Sequence, residues 1–148
     1  MKVAVAADHG GFDQKQELVQ YMLDMGLEVE DMGACNCDAV DYPDYALPVA
    51  LAVAEGRVDR GVLVCGTGLG MAIAANKIPG IRATNVITPG FARLAREHNN
   101  ANILTLSGRH IDLETNKELV SIFFETVFDE GHHIPRLEKI AKMEKLTF

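Results

Sequence analysis

A three-layer α/β sandwich, with a five-stranded parallel sheet and helices on both faces, is the fold this sequence predicts. Three observations carry it. Short apolar runs alternate with amphipathic stretches from one end of the chain to the other, the order that builds strand–helix–strand units. The run Gly61-Val62-Leu63-Val64 is continuously apolar, as a strand covered on both faces must be. Glycines stand where helices should stop, at Gly26 and Gly56.

Taken in order, Val3 to Ala7 reads as the first strand. Phe12 to Met25 reads as a helix with Leu18, Tyr21, Met22 and Met25 on one face, followed by a short strand from Leu27 to Asp31. Asp41-Tyr42-Pro43-Asp44-Tyr45 reads as a turn with a helix cap at Asp44, and Tyr45 to Glu55 as the helix it opens. The third strand covers Gly61 to Val64. A small-residue helix follows from about Met71 to Asn76, then a strand near Arg82 to Ile87, a helix from Phe91 to His98 and a fifth strand from Ile103 to Leu106. Helices over Asp112 to Phe128 and Pro135 to Lys145 complete the chain, Pro135 suiting a first helical position. The arrangement is Rossmann-like, and in such sheets ligands bind beyond the carboxyl ends of the strands. No repeat, low-complexity tract or linker interrupts it, so residues 1–148 are expected to form a single domain.

Composition narrows the function. The chain has 148 residues, 48% of them hydrophobic, enough for one core. The opening apolar run reaches Asp8 too soon for a signal peptide or a membrane span, so a soluble, cytoplasmic protein is expected. A net charge of −7 argues against nucleic acid or an anionic membrane as partner, while a few local cations could still hold a phosphate. Three cysteines make no disulfide framework. The one-residue gap of Cys35-Asn36-Cys37 fits neither a zinc site nor a dithiol redox motif, and the pair reads as ordinary loop cysteines.

The strongest local feature is Cys65-Gly66-Thr67-Gly68-Leu69-Gly70, joining a buried strand to a helix. Alternate glycines let backbone N–H groups converge on an anion, and the start of a helix adds positive potential. The same spacing fits a purely structural tight turn. It is neither a dinucleotide fingerprint, since the third glycine comes one residue early, nor a P-loop, since no Lys-Ser/Thr closes it. A nucleotide- or flavin-binding module is thereby disfavoured. Cys65 at a strand end facing a helix start could carry a lowered pKa, or could be a small buried hydrophobe. Asp8-His9-Gly10-Gly11 follows the first strand, where Asp8 and His9 could bind hydroxyls or phosphate, or simply make a turn. His98, suited to proton transfer, closes a helix ahead of Asn99-Asn100-Ala101-Asn102. Arg109, His132, His133 and Arg136 are the clustered cations with a plausible reach to a cleft.

Together these segments resemble the type B ribose-5-phosphate isomerase family, which also contains allose- and galactose-6-phosphate isomerases. The matching stretches run end to end: Ala7-Asp8-His9-Gly10-Gly11, Val40 to Ala46, Cys65 to Gly70, Ala74-Ala75-Asn76-Lys77, Gly80-Ile81-Arg82-Ala83 and Glu97 to Asn102. The resemblance implies an aldose–ketose isomerase acting through an enediolate, on ribose 5-phosphate or a six-carbon or shorter sugar phosphate, with no metal and no cofactor. It implies a homodimer or homotetramer with active sites shared between subunits, the C-terminal helix at about 135–145 packing at the dimer interface. It implies Cys65 as the base that moves the proton, Thr67 assisting at the reacting oxygens and His98 opening the furanose ring. The amides of Gly66, Gly68, Leu69 and Gly70 would hold the enediolate, Asp8 and Asn99 the hydroxyls, and His9, Arg109 and Arg136 the phosphate. Some members place a Glu base just after the last loop glycine; here that residue is Met71, which leaves Cys65. His132 stands where the family usually has Arg, and Phe91 where Tyr is frequent. A non-catalytic sugar-phosphate-binding subunit could share the fold but would have no need of Cys65, Thr67 and His98 together.

Overall fold

The computed structural model describes residues 1–146. Its sheet is built from β1 (Lys2–Ala7), β2 (Glu28–Asp31), β3 (Arg60–Cys65), β4 (Ala83–Asn85) and β5 (Ile103–Ser107), all parallel, in the order β2-β1-β3-β5-β4. The helices are α1 (Phe12–Asp24), α2 (Tyr42–Ala54), α3 (Leu69–Ala75), α4 (Pro89–Glu97), α5 (Leu113–Glu125) and α6 (Ile134–Met143), with a 3-10 turn over Gly131–His133 before the last.

Strand alternation divides the core into two layers. Val62 and Val64 of β3 point, with Val3, Val5, Leu104 and Leu106, into a cluster closed by α1, α4 and α5, with Phe123 at its centre. Leu63 and Cys65 point the other way, with Ala4, Ala6 and Ile103, under α2 and α3. Connections that run toward the β4 edge thus lie on one face and those that run back lie on the other, as right-handed crossovers require. The predicted three-layer α/β fold, with five parallel strands and helices on both faces, is what the chain forms.

Boundaries differ at several points, for local reasons at α2 and α4 and through distant side chains at α5. α2 begins at Tyr42 with Asp41 as its cap residue, not at Tyr45 with Asp44. Pro43 falls in the first turn, where the N–H it lacks would have had no partner. α3 starts two residues earlier than expected, at Leu69. α4 starts at Pro89 because the Thr88 hydroxyl accepts the Phe91 N–H. α5 stops at Glu125 rather than Phe128. There Arg60 Nη1 takes the Phe123 carbonyl at 2.5 Å and Arg96 Nε the Thr126 carbonyl at 3.4 Å, consuming the acceptors a further turn would need.

An ion pair between a buried lysine and an exposed aspartate went unread in the sequence. Lys15 is 1% exposed, and its ammonium bonds Asp31 at 2.7 and 2.8 Å and the Ala34 carbonyl at 2.9 Å. Asp31 also accepts the Gly33 N–H at 2.9 Å. This network fixes the chain where it leaves β2.

Candidate active site

The turn after β3 leads to the α2/α3 layer, whereas the turns after its neighbours β1 and β5 lead to the opposite layer. Diverging turns leave a crevice above the carboxyl end of β3, the topological switch point where α/β sheets bind ligands. Cys65 is the last residue of β3. It is 5% exposed and lies at the floor of this crevice, its Sγ accepting the Gly68 N–H at 3.1 Å. Gly68 can aim that N–H only because it adopts φ +79, a left-handed conformation open to glycine.

Beyond Gly68, the loop keeps donors unspent. Among the described residues, the N–H groups of Gly66, Thr67, Gly70 and Met71 meet no acceptor. The Leu69 N–H reaches only the Thr67 hydroxyl, at 3.3 Å. Several donors around one sulfur form a cradle for an oxygen that becomes negative during reaction.

Three turns line the crevice with backbone rather than side chains. A Cβ on Gly10 would meet the Gly66 N at 2.8 Å, and one on Gly108 the Gly10 carbonyl at 2.7 Å. The Asp8 carboxylate accepts the Gly10 N–H at 2.8 Å and holds the first of these turns. His9 is exposed, and its Nδ1 accepts the Val40 N–H at 3.2 Å, which leaves Nε2 as the protonated nitrogen of the neutral ring. The Arg109 guanidinium lies against Gly66, with Nη1 3.3 Å from where a Cβ there would stand. Asp8, His9, Cys65, Gly66, Thr67, Gly68, Leu69, Gly70 and Arg109 therefore meet at one end of the sheet. A neighbouring cleft of about 300 Å³, lined by Thr67, Leu69, Asn85, Ile87, Ser107, His110 and Ile111, opens beside them.

The remaining predicted residues lie elsewhere. His98 caps the C-terminus of α4, and Asn99 follows it into the turn that feeds the amino end of β5, where Gly61 N–H bonds the Asn102 carbonyl. Cys65 pairs with Ser107 at the other end of that strand. The two ends of a five-residue strand are roughly 13 Å apart, so one chain does not bring His98 or Asn99 to Cys65. His98 instead shares a pocket of about 310 Å³ with Asn99, His133, Arg136, Leu137 and Ile140. Within it the His98 and His133 rings stack at 4.4 Å and 18°, His132 lies 4.0 Å from His133, and Arg136 Nη1 bonds the His132 carbonyl at 3.0 Å. The His133 pKa is pushed down by burial, then by the neighbouring His132, His98 and Arg136, against an opposing pull from Asp129. His98, Asp129 and His133 offer ligand atoms within 4.8 Å of one another, but nearly parallel stacked rings do not aim two lone pairs at one ion.

Sequence reasoning missed the residues that support these groups. Asn85 Nδ2 donates to the Thr67 and Thr105 carbonyls, both at 3.2 Å, and bears on Gly68. Gln14 Nε2 holds the Gly108 and Ile111 carbonyls while its own oxygen accepts from Asn116, bracing the turn that presents Arg109. At the other end, Arg82 donates to the Asn99 and Asn100 carbonyls at 3.0 Å, and Arg96 bonds the Asn100 side chain at 2.9 Å and the Ala101 carbonyl. Burial and its arginine neighbours lower the Arg96 pKa to about 10. Polar residues predicted inside strands and helices were the available signal, but polarity alone does not say which carbonyl is held.

A doubly wound sheet with a sulfur and an amide cradle at its switch point defines an α/β protein whose site suits a small anionic ligand or a developing oxyanion. The sequence model of a family described as Ribose/Galactose Isomerase matches residues 3–140. Ribose-5-phosphate isomerase B of Escherichia coli is 44% identical over 144 residues, 97% of each chain. Among solved structures, Clostridium thermocellum ribose-5-phosphate isomerase B superposes with a TM-score of 0.97 at 45% identity, covering 98% of each chain. The Mycoplasma genitalium ribose-5-phosphate isomerase B with bound ribulose-5-phosphate gives 0.95 at 38%, covering 99% of this chain and 97% of that one. The chain belongs to the ribose/galactose isomerase family and is a sugar-phosphate aldose–ketose isomerase.

Proposed function

We propose that this chain interconverts ribose 5-phosphate and ribulose 5-phosphate, with Cys65 as the base. The single observation that carries this reading is the Cys65 sulfur under the Gly68 N–H, beside amides that meet no acceptor. In the open-chain aldose the proton on C2 is acidic only because charge can move onto the carbonyl oxygen. Cys65 takes that proton and returns it to C1, while the Gly66 to Gly70 amides and the Thr67 hydroxyl stabilise the enediolate between the two transfers. One lost donor of this kind costs about 2.7–4 kcal/mol of barrier. Asp8 binds a hydroxyl, and His9 and Arg109 face the phosphate.

The separation of His98 and Asn99 from Cys65 leads to a second element of the proposal. A second copy of the chain supplies His98 to open the sugar ring, Asn99 to bind a hydroxyl, and His132 and Arg136 to the phosphate, with α6 at the shared interface. Residues 1–148 act as one domain in this assembly. A cytoplasmic location is part of this reading, and no helix among the described residues is long and apolar enough to cross a membrane.

Three experiments test these points. Cys65→Ala should fold, bind the sugar phosphate and lose turnover together with incorporation of solvent deuterium into product; unchanged turnover would remove Cys65 as base. A panel of four-, five- and six-carbon aldose phosphates ranked by kcat/KM should favour ribose 5-phosphate. Mixing Cys65→Ala with His98→Ala chains should restore roughly a quarter of parental activity, since half of the mixed dimers' sites are intact. Two inactive chains that stay inactive after mixing would argue that each site is built from one chain.

A further inference from the structure

Between β2 and α2 the chain runs as a strap along the rim of the crevice, and both ends of the strap are pinned. At its base the Ala34 N–H bonds the Ala7 carbonyl at 2.8 Å and the Ala34 carbonyl takes the buried Lys15 ammonium at 2.9 Å. At its far end the Val40 N–H donates to His9 Nδ1 at 3.2 Å. Cys35 and Cys37 lie between these pins, both free and both exposed, whereas Cys65 is buried. The backbone bends at each of residues 35–38, and the Asp38 N–H closes onto the Asn36 side chain at 3.0 Å. Residues two apart span about 7 Å even when fully extended, and a bend brings them within the ~4.4–6.8 Å between Cα atoms that a disulfide bridges.

Although the one-residue gap is not that of a dithiol redox motif and read as ordinary loop cysteines in the sequence, we propose from their placement on this pinned strap that Cys35 and Cys37 form a reversible thiol–disulfide pair that tunes the hold of His9 on the phosphate. The inference rests on the reading of His9 as a phosphate contact. The oxidant is a hydroperoxide. One cysteine thiolate attacks the outer peroxide oxygen, the O–O bond breaks and an alcohol (water, from hydrogen peroxide) departs, leaving a sulfenic acid. The second thiol displaces water from that sulfur and the S–S bond forms. The two thiols lose two electrons and two protons in all, and the peroxide is reduced to alcohol and water. A bridge across one intervening residue closes a small, constrained ring, which makes the disulfide easy to reduce again. It also shortens the strap, drawing the Val40 N–H away from His9 Nδ1 and freeing the imidazole to turn and change tautomer.

The test uses the full chain titrated with hydrogen peroxide, then reduced with dithiothreitol. Thiol counting should show two fast thiols lost and Cys65 retained, and the intact mass should fall by two hydrogens with no added oxygen and no interchain link. The oxidised protein should show a KM for ribose 5-phosphate raised about two- to tenfold, the range that one lost hydrogen bond produces, with kcat within about twofold. Reduction should restore KM, and the Cys35→Ser/Cys37→Ser double variant should ignore peroxide. Sulfinic acids, interchain links or three surviving thiols would overturn the pairing. A disulfide that leaves KM unchanged would overturn its coupling to His9. If the reduced protein turned over no ribose 5-phosphate, the isomerase reading would fail separately. Thiol count and mass would still decide the pairing, and calorimetric affinity for inorganic phosphate, weakened on oxidation or not, would decide the coupling.

Discussion

Gly68→Ala is the substitution on which the account of the cradle is most exposed. At φ +79 an alanine pays about 1–2 kcal/mol for the left-handed backbone alone. Its Cβ would stand 2.1 Å from Asn85 Nδ2 and 2.9–3.0 Å from the Leu106 carbonyl carbon and oxygen. The strand backbone of β5 cannot yield, so Asn85 must swing away from the Thr67 and Thr105 carbonyls, losing two hydrogen bonds worth about 1 kcal/mol each. The sum is roughly 3–4 kcal/mol, which for a chain of this length corresponds to a fall in Tm of about 10 °C. Turnover should drop by about a hundredfold or more as the donor to Cys65 Sγ is displaced. Thermal unfolding at fixed protein concentration and steady-state isomerase assays read the two effects. In a double-mutant cycle, adding Asn85→Ala should cost much less in the Gly68→Ala background than in the parent, because the clash has already removed those bonds. Gly90→Ala, where an added Cβ meets nothing within 4 Å, is the neutral comparison. A Gly68→Ala protein with parental Tm and kcat would refute both the steric and the donor arguments.

Two further outcomes follow from charges the chain buries. Lys15→Met removes the partner of Asp31; because the Asp31 side chain is 36% exposed and can hydrate, the loss in urea unfolding should fall below the ~3–5 kcal/mol that breaking a fully buried pair costs. Adding Asp31→Leu should recover part of the loss. His133 has its folded-state pKa below its unfolded value of about 6.5, so the unfolded chain takes the proton first. Its contribution to stability is complete above that unfolded value and is lost as pH falls through the folded one. Tm should therefore decline as pH drops below about 6.5, and His133→Gln should flatten that part of the curve.

How much could be read in advance depended on the range of the interaction. Val62, Leu63 and Val64 announce a buried central strand because burial on both faces leaves no place for polar residues, and the helix ends at Gly26 and Gly56 follow from local backbone preference. Boundaries shifted where a distant group intervened, as at α5, whose end is set by Arg60 and Arg96. Lys15 looked like any helix-surface lysine until the fold brought Asp31 and Ala34 to it.

By itself the sequence determined the fold class, with helices on both faces of the sheet, and the residue types that each turn carries, because apolar period, glycine spacing and residue type act over a few neighbours. Only the tertiary structure decided which turns meet. Strand order sets Asp8, Cys65 and Arg109 around one crevice, and parallel register sends His98 to the opposite end of the same sheet. That partition is a property of topology, which no local interaction encodes.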